Sequence, residues 1–253
     1  MPRRNWSREE LVVAFNLYCR TPFGRIHIRN PDIIELAKAI GRTPSAVSWK
    51  LANFARLDPA LKRRHIAGAT HGGRTEIDVW IEFNNDWEKL AFESERLLAQ
   101  LTGRRAQIDK EPLALPPGAT REAVVRIRIN QAFFRAAVLA AYDVRCCITG
   151  LSIPELLNAS HIIPWSVDEK NRTNPCNGLC LNALHDRAFD CGLLTVTPDL
   201  KVKISPRIRK HVTNKAAREF ITRYDKLSIS PPRRFCPTAG FLGYHNEKIF
   251  LSS

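Results

Sequence analysis

The sequence predicts an α+β chain, with a helical N-terminal half and a strand–loop–helix module in the C-terminal half. Three observations carry this reading. Apolar residues recur at helical spacing through residues 1–57, with capping residues where the runs begin. Pro112, Pro116, Pro117 and Gly118 punctuate residues 102–120 and mark a domain boundary. Beyond it, Leu193-Leu194-Thr195-Val196 and Val202-Lys203-Ile204 alternate as strands do. The chain therefore divides into a three-helix domain at 1–57, a linker with a long amphipathic helix at 58–120, and a mixed module at 121–253.

In order, Ser7 with Glu10 three residues later forms a capping box, and Leu11, Phe15 and Tyr18 follow at helical spacing. Thr21-Pro22-Phe23-Gly24 breaks this helix. Asn30-Pro31-Asp32 opens a second one with Ile33, Ile34, Leu36, Ala37 and Ile40 apolar. Gly41-Arg42-Thr43-Pro44-Ser45 reads as a turn and helix start, followed by a third helix through Phe54. Residues 57–78 read as a polar linker. Val79–Leu101 reads as one long amphipathic helix, a spacer or a dimerisation element in a possible homodimer. Gln131–Tyr142 is a further strong helix.

Composition narrows the function classes. The 253 residues are 44% hydrophobic, enough for two modest cores, and carry a net charge of +14. No apolar run approaches the ~18 residues of a membrane span. The start, MPRRNWSREE, lacks the apolar stretch of a secretory signal, so a cytoplasmic protein without a membrane partner is expected. Residues 1–60 hold 10 Lys/Arg against 5 Asp/Glu, and residues 201–253 hold 12 against 3. The middle is balanced, so basic ends flank a neutral centre, a distribution suited to a polyanion. The seven cysteines are odd in number. Cys146-Cys147 and Cys176/Cys180 lack the spacing of paired zinc-binding elements, so reduced core thiols are expected and structural zinc is not.

The neutral centre holds the informative stretch. "ASHIIPW" places His161 in a short apolar run; a polar loop then ends at Asn177-Gly178, and "NPCNGLCLNALHDRAFDCGL" continues as a helix-like stretch, Leu179–Phe189, with His185, Asp186 and Asp190. With the preceding "RCCITG", this text resembles the HNH nucleases, in the branch found in bacterial restriction-type endonucleases, over roughly residues 121–253. The resemblance implies a ββα-metal fold that hydrolyses phosphodiesters of double-stranded DNA, with a role in restriction or phage defence. It implies His161 as the general base and Asn177 as the residue that pins the loop and orients the imidazole. A neutral histidine suits the base role near pH 7. The metal register is open. Asp186 and Asp190 share a helix face, whereas His185 lies about 100° from Asp186 by the helical period. Asp186 is taken as first ligand, Asp190 as second and His185 as third, with His185 counted among the catalytic groups. Oxygen donors favour Mg²⁺ or Mn²⁺. Strict family members carry an acidic or histidine ligand just before the base, where this chain has Ser160.

The N-terminal helices resemble a helix-turn-helix, Myb-like around Trp6-Ser7 and Glu9-Glu10. That implies a third helix in the major groove, with Arg42, Ser45, Ser48, Lys50 and Asn53 reaching DNA. Arg128 and Arg135 are further phosphate contacts. Two function classes follow: a metal-dependent DNA endonuclease, or a non-catalytic DNA-binding regulator whose HNH module has degenerated.

Overall fold

The computed structural model describes residues 4–63, 73–103, 120–210 and 215–252. The fold is mixed α+β, and contacts divide it into two compact units, Met1–Ala137 and Val138–Ser253. The proline-bearing boundary at 102–120 and the polar stretch around His65 and His71 lie almost wholly outside the described residues.

Unit 1 is built around helix α1 (Arg8–Arg20). The capping box forms as the sequence indicates: the Ser7 side chain accepts from Glu10 N–H and the Glu10 carboxylate accepts from Ser7 N–H. All ten residues from Glu10 to Cys19 are buried, so α1 is enclosed rather than amphipathic. Helices α2 (Pro31–Ala39) and α3 (Pro44–Ala55) start at Asn30 and Thr43, each capping through its side chain with proline in the first turn. Gly41 takes a left-handed φ of 65° in the turn between them. A short helix α4 (Pro59–Arg63) follows.

The expected single helix over 79–101 is two helices, α5 (Arg74–Phe83) and α6 (Trp87–Thr102). The physical reason is Asn84-Asn85-Asp86. Asp86 accepts from Lys89 N–H at 3.0 Å and starts a new helix, a local bond that competes with continuing the first one. Both helices pack on α1, so this part of the chain is core, not spacer. Phe15 stands at the centre of an aromatic cluster with Tyr18, Phe54, Trp80 and Trp87. Helix α7 (Arg121–Ala141) begins in unit 1 and its last residues belong to unit 2.

In unit 2, strand β1 (Leu157–His161) pairs antiparallel with β2 (Gly178–Asn182), Leu157 opposite Asn182 and His161 opposite Gly178. Helix α8 (Ala183–Asp190) follows β2 directly and packs on both strands. A second hairpin, β3 (Leu194–Val196) with β4 (Val202–Ile204), comes next, then α9 (Pro206–Arg209), α10 (Lys215–Phe220) and α11 (Ala239–Lys248). Gly192 turns the chain from α8 into β3. A Cβ there would lie 2.1 Å from the Ile249 carbonyl oxygen, and its φ of 66° also favours glycine. Helix α11 packs on β3, with His245 stacked on Phe189 of α8 at 3.6 Å between ring centroids.

Candidate active site

The β1–β2 hairpin and α8 make a compact strand–loop–helix unit, and its loop, residues 162–177, is tied down by one side chain. Asn177 is fully buried. Its Oδ1 accepts from Ile163 N–H at 2.8 Å, and its Nδ2 donates to the carbonyls of Ile163 at 3.1 Å and Asn171 at 3.3 Å. The loop is stapled at both ends by an amide whose donor and acceptor are both used.

His161 ends β1. Its Nε2 lies 2.9 Å from the Arg172 carbonyl oxygen. A carbonyl only accepts, so Nε2 carries the proton and the lone pair is on Nδ1. Burial holds the imidazole below its ordinary value, with the Arg172 bond pulling weakly the other way. The ring also meets Trp165 edge-on at 5.6 Å. Arg172 is fixed in turn: its Nε donates to the Trp165 carbonyl at 2.7 Å and its guanidinium lies 5.4 Å over the Trp165 ring. Asn177 Nδ2 thus holds the carbonyl of Asn171, the residue before the Arg172 whose own carbonyl meets His161.

Asp186, in the first turn of α8, is bound by two residues of β1. Asn158 Nδ2 donates to Oδ2 at 2.6 Å, and the Ser160 hydroxyl donates to Oδ1. Residues 158 and 160 are two apart, so strand alternation sends both side chains to one face. Asp190, one turn later, has its carboxyl pushed up by desolvation and by the charge of Asp186. Two carboxylates therefore share this region.

His185 is placed differently from the third-ligand role read from the sequence. It is buried, and both ring nitrogens are engaged with other partners. Nε2 donates to the Phe220 carbonyl at 2.8 Å, and Nδ1 accepts from Asn182 Nδ2 at 3.2 Å. Asn182 also caps α8, its Oδ1 accepting from His185 N–H at 2.9 Å. The imidazole is a brace between α8 and the segment ending at Phe220.

A divalent ion can be tested against this donor set. Each Asp186 oxygen keeps a lone pair beyond its bond to β1. That suits a hard ion that takes one or two carboxylates and keeps water in its other positions. No group of three or more His, Cys, Asp or Glu able to hold a metal occurs among the described residues.

Residues 146–197 match a family model described as HNH endonuclease. By this match the segment 146–197 is similar to the HNH endonucleases. The matched HNH segment covers β1, the stapled loop, β2, α8 and β3, and so includes the buried Asn177 network. No curated protein matches the chain. The HNH segment carries a nuclease-type domain, and no helix among the described residues is long and apolar enough to cross a membrane.

Outside the HNH segment, three of the residues expected on DNA are turned into unit 1. Arg42 pairs with Glu10 at 2.8 Å, donates to the Arg4 and Asn5 carbonyls and lies 4.2 Å over the Trp6 ring. Lys50 pairs with buried Glu76, which Asn53 also donates to at 3.2 Å. Ser45 is exposed, Ser48 is half-buried, and Trp49 beside them on α3 is 64% exposed. Arg128 is half-buried and Arg135 exposed on α7, both within unit 1.

Sequence reasoning passed over Asn158, Asn182 and the Arg172 carbonyl. Asn182 had a signal, a polar residue directly before a helix. Asn158 had a weaker one, its two-residue spacing from Ser160. The Arg172 carbonyl had none, because a backbone oxygen leaves no mark in side-chain chemistry.

Proposed function

We propose that the protein is a metal-dependent DNA endonuclease in which His161 Nδ1 takes a proton from water and Asp186, with Asp190, holds a Mg²⁺ or Mn²⁺ ion. The observation that carries this reading is the protonation state imposed on His161. The Arg172 carbonyl fixes the proton on Nε2, which leaves a base nitrogen of known identity. Burial keeps the ring neutral to lower pH than an exposed imidazole, so the base form is the dominant one near pH 7. Asn177 and Arg172 hold the ring direction, which limits the reorganisation needed when the proton moves. Ser160 and Asn158 orient the Asp186 carboxylate. A bound divalent cation would supply charge stabilisation to the phosphate and to the departing oxygen.

The substrate is duplex DNA, and the biological role is restriction or phage defence in the cytoplasm. Unit 1 grips the duplex as a helix-turn-helix, with the outer face of α3 at Ser45, Ser48 and Trp49 toward the groove. Arg42, Lys50 and Asn53 serve that face indirectly by fixing α3 to Glu10 and Glu76. Arg128 and Arg135 add phosphate contacts, and a homodimer would place two sites for two strands. The test is incubation of supercoiled plasmid with protein and Mg²⁺ or Mn²⁺, with EDTA as control. Nicked or linear product that disappears with EDTA is expected; unchanged plasmid with either ion would refute the activity.

A second reading has one observation in its favour. Ser160 stands where strict family members carry a ligand, and its hydroxyl binds Asp186 itself. In that reading the module is a non-catalytic part of a DNA-binding regulator. The same assay separates the two, since a regulator binds duplex without nicking it.

A further inference from the structure

We propose that Arg218, Arg223 and Lys226, which lie beyond the HNH segment, form a grip for the phosphate backbone of duplex DNA, attached to the nuclease helix through His185. The inference rests on the nuclease reading above and adds a surface to it.

The attachment is a continuous chain of contacts. His185 on α8 donates to the Phe220 carbonyl at 2.8 Å and meets the Tyr224 ring edge-on at 5.3 Å. The Arg223 guanidinium lies 5.5 Å over that same Tyr224 ring. Arg218 is two residues before the braced carbonyl and Arg223 three after it. Backbone reach limits their Cα atoms to within about 7 Å and about 11 Å of Phe220. Lys226 follows where the chain returns against β4, its N–H donating to the Val202 carbonyl at 2.8 Å.

The cations outnumber the acids here, Lys215, Arg218, Arg223 and Lys226 against Glu219 and Asp225. All three side chains are exposed, and none has an ion-pair partner among the described residues. The acids of this stretch are engaged elsewhere: Glu219 lies 3.8 Å from Lys215, and Asp225 accepts from Ile204 N–H at 3.0 Å. Two exposed apolar groups lie in the same stretch as the cations, Phe220 at 57% and Leu227 at 53%. A merely solvated basic face does not need a braced backbone or exposed apolar surface. A polyanion with sugar edges is the partner that uses both, and residues 201–253 hold 12 Lys/Arg against 3 Asp/Glu.

The experiment compares the full-length protein with its R218A/R223A/K226A variant, using fluorescence anisotropy on a labelled duplex over a salt series and plasmid nicking in Mg²⁺ or Mn²⁺. The three side chains are outside the core, and matching circular dichroism melts confirm that the variant folds. The expected result is a duplex affinity lower by on the order of tenfold or more at low salt. The slope of log affinity against log salt should fall by up to ~2.7, from ~0.9 for each lost phosphate contact. Nicking at sub-saturating DNA should fall with it. Wild-type nicking together with unchanged variant affinity and slope would overturn the grip while leaving the nuclease intact. Wild type that binds duplex but nicks nothing would count against the nuclease reading alone, and the salt slopes would still decide the grip.

Discussion

Asn177→Ala removes three hydrogen bonds from one buried point and so tests the link between the loop and the base. The Ile163 N–H and carbonyl lose their partner, and Asn171 loses a longer bond of 3.3 Å. Ile163 is itself buried, so its backbone groups cannot turn to water. An orphaned buried group costs about 1–3 kcal/mol, and the two Ile163 groups together put the loss near 3 kcal/mol. With a urea m-value of about 1.5 kcal/mol/M, the midpoint for unit 2 should fall by about 2 M. Circular dichroism during urea titration measures this. Nicking by the still-folded fraction should drop at least tenfold, because the Arg172 carbonyl no longer holds His161. Asn177→Asp keeps the Oδ acceptor for Ile163 N–H but turns a carboxylate oxygen toward two carbonyls, so it should not rescue either quantity. A variant with the wild-type midpoint and full nicking would refute the staple.

Other consequences follow from the same contacts. Lys50→Met leaves Glu76 buried at 4% side-chain exposure without its cation, which should cost about 3 kcal/mol in urea unfolding; an unchanged midpoint would argue that Lys50 is a surface residue free for DNA. His245 is buried and held down to about 4 by desolvation, with its bond to the Phe189 carbonyl opposing weakly. The unfolded chain then binds the extra proton between its own value of about 6.5 and 4, so stability falls as pH drops through that window. The full loss is about 3 kcal/mol, and His245→Phe should flatten the pH profile of the melting temperature. His185→Ala should lower thermal stability by about 2–4 kcal/mol from the lost Phe220 bond and the cavity while leaving Mn²⁺ affinity near wild type; Asp186→Ala should do the reverse. Calorimetric metal titration distinguishes them.

Much of this was readable in the residues, for physical reasons that differ by element. Local chemistry was legible. Ser7 with Glu10, Asn30-Pro31 and Thr43-Pro44 announced three helix starts because capping involves neighbours in sequence. The polar loop read as ending at Asn177-Gly178 ends there, but the stretch Leu179–Phe189 that reads as helical is strand β2 as far as Asn182 and helix only from Ala183, because Asn182 caps a helix that begins beyond it. Partners distant in the chain were not legible. Arg42 and Lys50 read as an exposed charged face because Glu10 lies 32 positions from the first and Glu76 lies 26 from the second. His185 read as a ligand because its partner at Phe220 is 35 residues away and is a carbonyl. The helix break at Asn84-Asn85-Asp86 was legible in principle, but the apolar rhythm on both sides obscured it.

The central claim is that one imidazole, its proton fixed on Nε2, activates water for phosphodiester cleavage. It is tested most directly by plasmid nicking with His161→Ala in Mg²⁺ or Mn²⁺, alongside duplex binding by the same sample. Loss of cleavage by a factor of at least ~100, the usual contribution of a general base, with binding within about twofold of wild type, is the predicted result. Nicking by His161→Ala at the wild-type rate would contradict the account.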